Sequence, residues 1–103
     1  MADWIAVCDL DDIDPEDVLR FDHDGRTFAV YRDPAGQPFA TDGLCSHEQV
    51  HLCDGLVMGE LIECPKHNGR FNYKTGAALR APVCVNLATY PARISGGRIE
   101  ILV

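Results

Sequence analysis

Two short pairs of metal-binding side chains constrain this 103-residue chain more than any other feature. The first pair lies in Cys45-Ser46-His47 and the second in Cys64-Pro65-Lys66-His67, with sixteen residues between the two motifs. Each pair provides one thiolate and one imidazole. A structural zinc site usually takes its ligands as two cysteines followed by two histidines, so two mixed pairs favour another kind of centre.

A binuclear [2Fe-2S] centre explains the mixed pairs, because each of its two irons takes two protein ligands. In the mixed-ligand version, two cysteines bind one iron and two histidines bind the other. Two loops that converge from opposite sides can then each contribute one cysteine and one histidine. The sequence therefore predicts that Cys45 and Cys64 bind a buried iron, and that His47 and His67 bind an outer iron nearer to solvent.

The residues around these ligands resemble the Rieske family, whose pattern is Cys-x-His, a stretch of this length, and then Cys-Pro-x-His-x-Gly-x-Phe. The second motif reads Cys64-Pro65-Lys66-His67-Asn68-Gly69-Arg70-Phe71. The chain looks most like the small Rieske-type ferredoxins of bacterial multicomponent, ring-hydroxylating-type oxygenase systems. The tail Ala81-Pro82-Val83-Cys84-Val85-Asn86-Leu87 is similar to a branch associated with rhizopine catabolism.

The resemblance implies an electron carrier and not an enzyme. It implies one Rieske-type [2Fe-2S] cluster per chain, bound by the four ligands named above. It also implies that the cluster receives single electrons from an NAD(P)H-dependent flavoprotein reductase and passes them to a terminal Rieske oxygenase. The alternative within this family is a small subunit tightly bound to another redox enzyme. The small size and acidic charge favour a diffusing shuttle, which we expect to be a monomer.

The position of the reduction potential within the Rieske range follows from what the loops lack. With two thiolates the oxidised centre is formally neutral, and histidine ligation raises its potential above that of a four-cysteine cluster. High-potential members, as the family implies, carry two further cysteines that cross-link the loops, and Val50 and Lys66 occupy those positions. We therefore predict a potential near the low end of the range, roughly −150 mV.

The length allows one domain, residues 1–103, which is too small for a second catalytic unit. A complete oxygenase would need a further iron site with two histidines and a carboxylate, and beyond the predicted ligands only His23 and His51 remain.

No apolar stretch approaches the roughly 20 residues of a membrane span. The acidic N-terminus lacks the features of a secretory signal, which predicts a cytoplasmic protein. Cys8, Cys53 and Cys84 are expected to be buried thiols in a reducing compartment.

Charge is distributed unevenly along the chain. Residues 1–63 carry fifteen acidic side chains and three basic ones, whereas residues 64–103 carry one acidic and six basic ones. The dense acidic run at residues 9–17 argues against nucleic acid or an anionic membrane as a partner. Basic partner surfaces are one interpretation of this charge. The alternative is a solvated surface, in which interleaved strands remove the separation in space.

Short strand-like runs bounded by turn residues predict an all-β domain. We expect the Rieske fold, in which an antiparallel β sandwich or barrel-like base carries an inserted cluster-binding subdomain at about residues 43–82. One helical turn is predicted at residues 13–19, and Ala81-Pro82 resembles the third loop that shields the cluster in this family, with a plain strand-entry proline as the alternative. The predicted strands are Trp4–Val7, Val18–Phe21, Thr27–Tyr31, Phe39–Thr41, Leu61–Cys64, Val83–Leu87, Ala92–Ile94 and Ile99–Val103.

Two other metal sites fit parts of the same pattern. The four ligands could close around zinc as a structural Cys2His2 interaction module. The run His47-Glu48-Gln49-Val50-His51 spells the zinc-protease signature, which requires a long helix. Gly43 before this run and Asp54-Gly55 after it leave little room for such a helix, so His51 is expected to be a hydrogen-bonded surface residue.

Overall fold

The computed structural model describes residues 2–47, 49–66, 68–81 and 85–103. Within these ranges the chain forms β-strands and two short 3-10 turns, one at Leu10–Asp12 and one at Leu52–Asp54. The strands are β1 (Trp4–Asp9), β2 (Asp17–His23), β3 (Arg26–Arg32), β4 (Pro38–Asp42), β5 (Leu56–Met58), β6 (Leu61–Glu63), β7 (Arg70–Asn72), β8 (Ala78–Arg80), β9 (Thr89–Tyr90), β10 (Ala92–Ser95) and β11 (Arg98–Leu102).

The strands form three antiparallel sheets. The first base sheet has the order β1-β11-β10, and the second has the order β2-β3-β4-β9. The third sheet has the order β5-β6-β7-β8 and lies in sequence between β4 and β9, which pair with each other. Because β1 pairs with β11 and β4 with β9, strands from the acidic and basic parts of the chain are interleaved. The charge separation in the sequence therefore does not persist as two separate halves of the base.

The central strand β3 is buried on both faces. Side chains on a strand alternate between its faces, and Phe28 and Val30 pack in one hydrophobic core together with Ile99 and Ile101 of β11. The intervening Ala29 and Tyr31 belong to a second core with residues of the third sheet and its loops. The second base sheet is therefore the middle layer, with the first base sheet on one side and the third sheet on the other.

The hairpin turns are formed by residues that adopt a positive φ. Asp24 and Gly25 link β2 to β3 with φ of 54° and 77°, and Gly96 and Gly97 link β10 to β11 with φ of 58° and 76°. Two successive residues with positive φ give the twist that suits a two-residue hairpin. These turns set the register in which β2 pairs with β3 and β10 pairs with β11.

The prediction of an all-β chain is confirmed, and seven of the eight predicted strands are found within one or two residues of their expected ends. The helical turn predicted at residues 13–19 is wrong. Ile13 is instead buried in the base core, Glu16 has a φ of 60°, and Asp17 already begins β2. Pairing of Asp17 with Arg32 of β3 draws this segment into the sheet.

The strand predicted at residues 83–87 is the exception. Val83 and Cys84 lie outside the described residues, and residues 85–87 form no strand because their backbone bonds to loops instead. The short strands β5, β7, β8 and β9 were not predicted. Each has two or three residues, too few for an alternating pattern to stand out.

Candidate metal centre

The first ligand pair lies in a closed loop after β4. Leu44 and His51 form an isolated antiparallel bridge, and the amide of Cys45 donates to the carbonyl oxygen of Val50 at 3.0 Å. The amide of Leu52 donates to the carbonyl oxygen of Gly43 at 2.9 Å. These contacts hold the two ends of the loop together. Cys45 therefore lies at the closed end of the loop, where it is buried.

Cys64, the described member of the second predicted ligand pair, begins the connection between β6 and β7. Glu63 pairs with Arg70 at the end of this hairpin, and their side chains form an ion pair with an N···O distance of 2.9 Å. The amide of Cys64 donates to the carbonyl oxygen of Gly69 at 2.7 Å, which explains why β6 ends one residue before the prediction. Asn68 has a φ of 57° in this tight connection, a conformation that asparagine tolerates better than most residues.

The predicted ligands differ in their exposure to solvent. Cys45 is 5 % exposed and Cys64 is 1 % exposed, and both belong to the hydrophobic core between the second and third sheets. His47 is exposed. His67 lies outside the described residues. The thiols of one cysteine from each loop are therefore directed into the same core, whereas the imidazole of the first loop lies at the surface.

This donor set fits a [2Fe-2S] cluster with unequal sides. The inner side has thiol donors in an apolar environment, and the outer side has an imidazole in contact with solvent. In the described part of the chain, no three His, Cys, Asp or Glu side chains converge as they would around a single metal ion. In a binuclear centre the cysteine and the histidine of one loop bind different irons, so such convergence on one point is not required.

Residues 85–87 are hydrogen-bonded to the first ligand loop and to the turn and strand that follow β7. The hydroxyl of Ser46 donates to the carbonyl oxygen of Val85 at 2.6 Å. The amide of Leu87 donates to the carbonyl oxygen of Gly76 at 2.8 Å, and the side-chain oxygen of Asn86 accepts from the amide of Ala78 at 2.9 Å. This segment therefore connects the first ligand loop with the turn and strand that follow β7.

Aromatic side chains join the third sheet to the base. The rings of Tyr31 and Tyr73 are stacked, with centroids 4.6 Å apart. The hydroxyl of Tyr31 forms a buried hydrogen bond of 2.8 Å with Thr41, and that of Tyr73 donates to the carbonyl oxygen of Gly59. Burial raises the pKa of both phenols, that of Tyr73 to about 12. Both rings therefore stay neutral over the physiological range and can remain in the core.

Lys74 adds an ionic connection between the same layers. Its ammonium lies 2.9 Å from a carboxylate oxygen of Asp33, in the turn between β3 and β4, and 3.2 Å from one of Glu60 in the third sheet. Burial by itself would raise the pKa of Asp33. The hydrogen bonds from Lys74 and from the amide of Gln37 outweigh burial and hold that pKa below its usual value.

Several other sequence predictions change with the structure. The described residues between 47 and 51 contain no helix, so the zinc-protease pattern lacks the element it requires. His51 is partly buried, and its Nδ1 has no hydrogen-bond partner within the described ranges, which corrects the expectation of a hydrogen-bonded surface residue. Cys8 and Cys53 are partly rather than fully buried, and burial raises the pKa of each thiol. Cys84 lies outside the described residues.

Sequence reasoning missed Ser46 and Asn86 as residues that shape the site. Ser46 stands between two predicted ligands, but its acceptor Val85 lies 39 positions further along the chain. Local patterns carry no signal for such a contact.

No helix in the described part of the chain is both long enough and apolar enough to cross a bilayer.

Comparison with known proteins identifies the family. The model of the Rieske [2Fe-2S] domain matches residues 3–91. The ferredoxin component of the naphthalene 1,2-dioxygenase system of Pseudomonas aeruginosa is 44 % identical over 98 residues, which cover 95 % of this chain and 93 % of that protein. Such homologues are named as electron-carrying components and not as catalysts, which confirms the prediction of a carrier.

Solved structures agree with this family. A chain in the complex of reduced oxygenase and oxidized ferredoxin of carbazole 1,9a-dioxygenase matches with a TM-score of 0.90 and 33 % identity, covering 95 % of this chain and 91 % of that one. The ferredoxin of carbazole 1,9a-dioxygenase from Nocardioides aromaticivorans IC177 matches with a TM-score of 0.89 and 34 % identity, covering 95 % of each chain. The predicted Rieske fold and Rieske-type [2Fe-2S] cofactor are thereby confirmed. This chain belongs to the Rieske [2Fe-2S] family, among the electron-carrying ferredoxin components of ring-hydroxylating dioxygenase systems.

Proposed function

We propose that Cys45 and Cys64 bind the inner iron of the cluster, and that His47 and His67 bind the outer iron. The observation that carries this assignment is the contrast between the buried cysteines and the exposed His47. The cluster-binding subdomain then spans about residues 43–82, because this range includes both ligand loops and the third sheet. The bound cluster supplies one-electron transfer.

The chain is proposed to take electrons from an NAD(P)H-dependent flavoprotein reductase and to deliver them to a terminal Rieske oxygenase. The known complex of an oxygenase with a ferredoxin of this fold supports the second half of that route. The reductase follows from the family resemblance. A monomeric, cytoplasmic carrier is part of the same proposal, and it agrees with Cys8, Cys45 and Cys53 forming no disulfide within the described ranges.

The first experiment is an EPR spectrum of the anaerobically purified, dithionite-reduced protein, with iron and labile sulfide assayed on the same sample. A rhombic S = 1/2 signal with a low average g value and two irons per chain is expected. A colourless, EPR-silent protein loaded with zinc would contradict the carrier and favour the structural Cys2His2 module. A midpoint potential above about +100 mV would contradict the low-potential prediction.

The surface around His47 is proposed to be the docking surface for both redox partners. The hydrogen bond from Ser46 places Val85, 59 % exposed, beside the first ligand loop. Asn86 is bonded to Ala78, which precedes the 55 % exposed Leu79. Two exposed apolar side chains, one beside the first ligand loop and one on β8, favour a partner surface with an apolar centre.

Charged residues at the edge of the docking surface indicate the charge that the partner surface should carry. Lys66 and Arg80 are exposed in the same region, so acidic residues on the partner would complement them. Gln49 is exposed in the first ligand loop and is a further candidate for this edge. Pro82, of the Ala81-Pro82 loop, is a further candidate for this edge and lies outside the described residues.

Matched charge reversals test the docking surface. Lys66→Glu is expected to slow both reduction by the reductase and re-oxidation by the oxygenase of the naphthalene 1,2-dioxygenase system. Arg98→Glu is the control, because Arg98 is an exposed base on β11 of the first base sheet. Equal rates for wild type and Lys66→Glu, or equal losses in both variants, would contradict docking at this surface.

Two variants at apolar residues test the centre of the docking surface. Leu79→Asp is expected to weaken electron transfer, whereas Ile94→Asp serves as the control, since Ile94 is 41 % exposed on β10, away from the third sheet.

The finer placement in the rhizopine-catabolism branch depends on residues 81–87 alone. Naphthalene and carbazole systems are the first to assay, because the similar proteins belong to them. Transfer to neither of them, with transfer to a rhizopine-type oxygenase, would support that branch.

A further inference from the structure

Residues 85–87 are attached to the cluster-binding part of the chain from two sides. On one side, the Ser46 hydroxyl donates to the Val85 carbonyl oxygen at 2.6 Å. On the other side, Leu87 and Asn86 bond to the backbone of Gly76 and Ala78 at 2.8 and 2.9 Å. Among the described residues, the Ser46 bond is the one that joins this segment to a loop that carries predicted ligands.

The segment also contributes to the buried core that contains Cys45 and Cys64. The Leu87 side chain is 6 % exposed and belongs to the same buried core as Cys45 and Cys64. Two positions earlier, the Val85 side chain points to solvent. The backbone between these two residues therefore runs from the core that contains the cysteines to the solvent-exposed surface.

We propose that Ser46 is a positioning residue whose hydroxyl holds segment 85–87 against the first ligand loop and so limits the access of water to the cluster. This inference rests on the ligand assignment proposed above. Reduction adds a negative charge, which nearby water stabilises, so exclusion of water keeps the potential low. The bond to Val85 also occupies the one proton that the hydroxyl could otherwise donate to a cluster sulfur.

The two possible roles of this hydroxyl have effects of opposite sign. If Ser46 holds the segment closed, removal of the hydroxyl admits water and raises the potential. If Ser46 donated to a cluster sulfur, its removal would lower the potential, because hydrogen bonds to the sulfurs stabilise the reduced state. The sign of the shift therefore separates a positioning residue from a direct donor to the cluster.

The test compares holoprotein variants Ser46→Ala and Ser46→Thr with wild type. Ser95→Ala is the control, because Ser95 is an exposed serine at the end of β10, on the first base sheet. Three quantities are measured: the midpoint potential, the rate of iron release to a chelator, and amide hydrogen exchange at residues 85–87. Loss of one hydrogen bond, about 1 kcal/mol net, corresponds to about a fivefold change in an opening equilibrium.

For Ser46→Ala we expect a higher midpoint potential, with iron release and amide exchange each about fivefold faster. Ser46→Thr and Ser95→Ala should both match wild type. Unchanged exchange and iron release in Ser46→Ala would overturn the proposal, and so would a lower potential. A wild-type protein without a [2Fe-2S] cluster would instead defeat the proposed function itself.

If Ser46→Ala does not accumulate as holoprotein, substitutions at Asn86 test the same proposal. Asn86→Ala removes another bond to the same segment without changing a ligand loop, and Asn86→Asp keeps the acceptor oxygen. Asn86→Ala is expected to raise the potential and to speed iron release, and Asn86→Asp to restore slow release. No change in Asn86→Ala would overturn the proposal.

Discussion

Replacement of Gly76 by alanine should destabilise the protein far more than the same change at another turn glycine. Gly76 has a φ of 81°, where an L-residue costs about 1–2 kcal/mol. A Cβ atom there would lie 2.2 Å from the carbonyl oxygen of Leu87, whereas ordinary contacts begin near 3.4 Å. The backbone of residue 76 or 87 must therefore move by more than 1 Å.

That movement has two further costs. It breaks the bond from the Leu87 amide to the Gly76 carbonyl oxygen, worth about 1 kcal/mol net. It also loosens the buried Leu87 side chain, at about 1–2 kcal/mol for partial exposure. The expected loss of stability is therefore about 3–5 kcal/mol, and the cover of the inner side of the site opens with it.

Gly97→Ala is a matched control, since Gly97 has a φ of 76° and a Cβ atom there meets nothing within 4 Å. Apparent unfolding midpoints are compared by circular dichroism at one scan rate, because loss of the cluster makes unfolding irreversible. Gly97→Ala should lower the midpoint by about 5–10 °C and Gly76→Ala by about 15 °C or more. Equal losses in the two variants would refute the argument from close approach.

Three other variants test the ligands and the connection between the layers. His67→Cys adds a negative charge to the centre and should lower the midpoint potential in a redox titration, and an unchanged or higher value would contradict the ligand assignment. Asp33→Asn should destabilise the protein at neutral pH. Because the folded pKa of Asp33 is lowered, its contribution is present above the unfolded pKa of about 3.9 and is lost as pH falls through the folded value. Urea denaturation should therefore show the difference from wild type narrowing below about pH 4, and a constant difference would contradict this. Tyr31→Phe removes the bond to Thr41 but keeps the ring, so thermal unfolding should show a loss of about 1 kcal/mol, and no loss would show that this bond contributes nothing.

Much of the base could be predicted because its signals are local. The turns at Asp24-Gly25 and Gly96-Gly97 need residues that accept positive φ, and the sequence shows them directly. The flanking strands are long enough for their pattern to be visible. The prediction at residues 13–19 is wrong because Pro15 and its acidic neighbours are typical of a first helical turn, whereas pairing with β3 decides that segment.

The third sheet was harder to predict. Its strands have three residues each, and their stability comes from packing against Tyr31 and from the ionic contacts of Lys74 rather than from propensity. Residues 85–87 form no strand because their polar groups bond to Ser46, Gly76 and Ala78. Such partners lie far apart in sequence and leave no local pattern.

The sequence by itself determined the chemistry, since the types and spacing of Cys45, His47, Cys64 and His67 already indicate a cluster with two thiolates and two imidazoles. Only the tertiary structure decided where the described residues of this predicted ligand set lie. It buries Cys45 and Cys64 in one core, leaves His47 at the surface and brings Val85 to Ser46. The physical reason is that ligand identity is a property of each side chain, whereas burial and long-range hydrogen bonds depend on how separate elements pack.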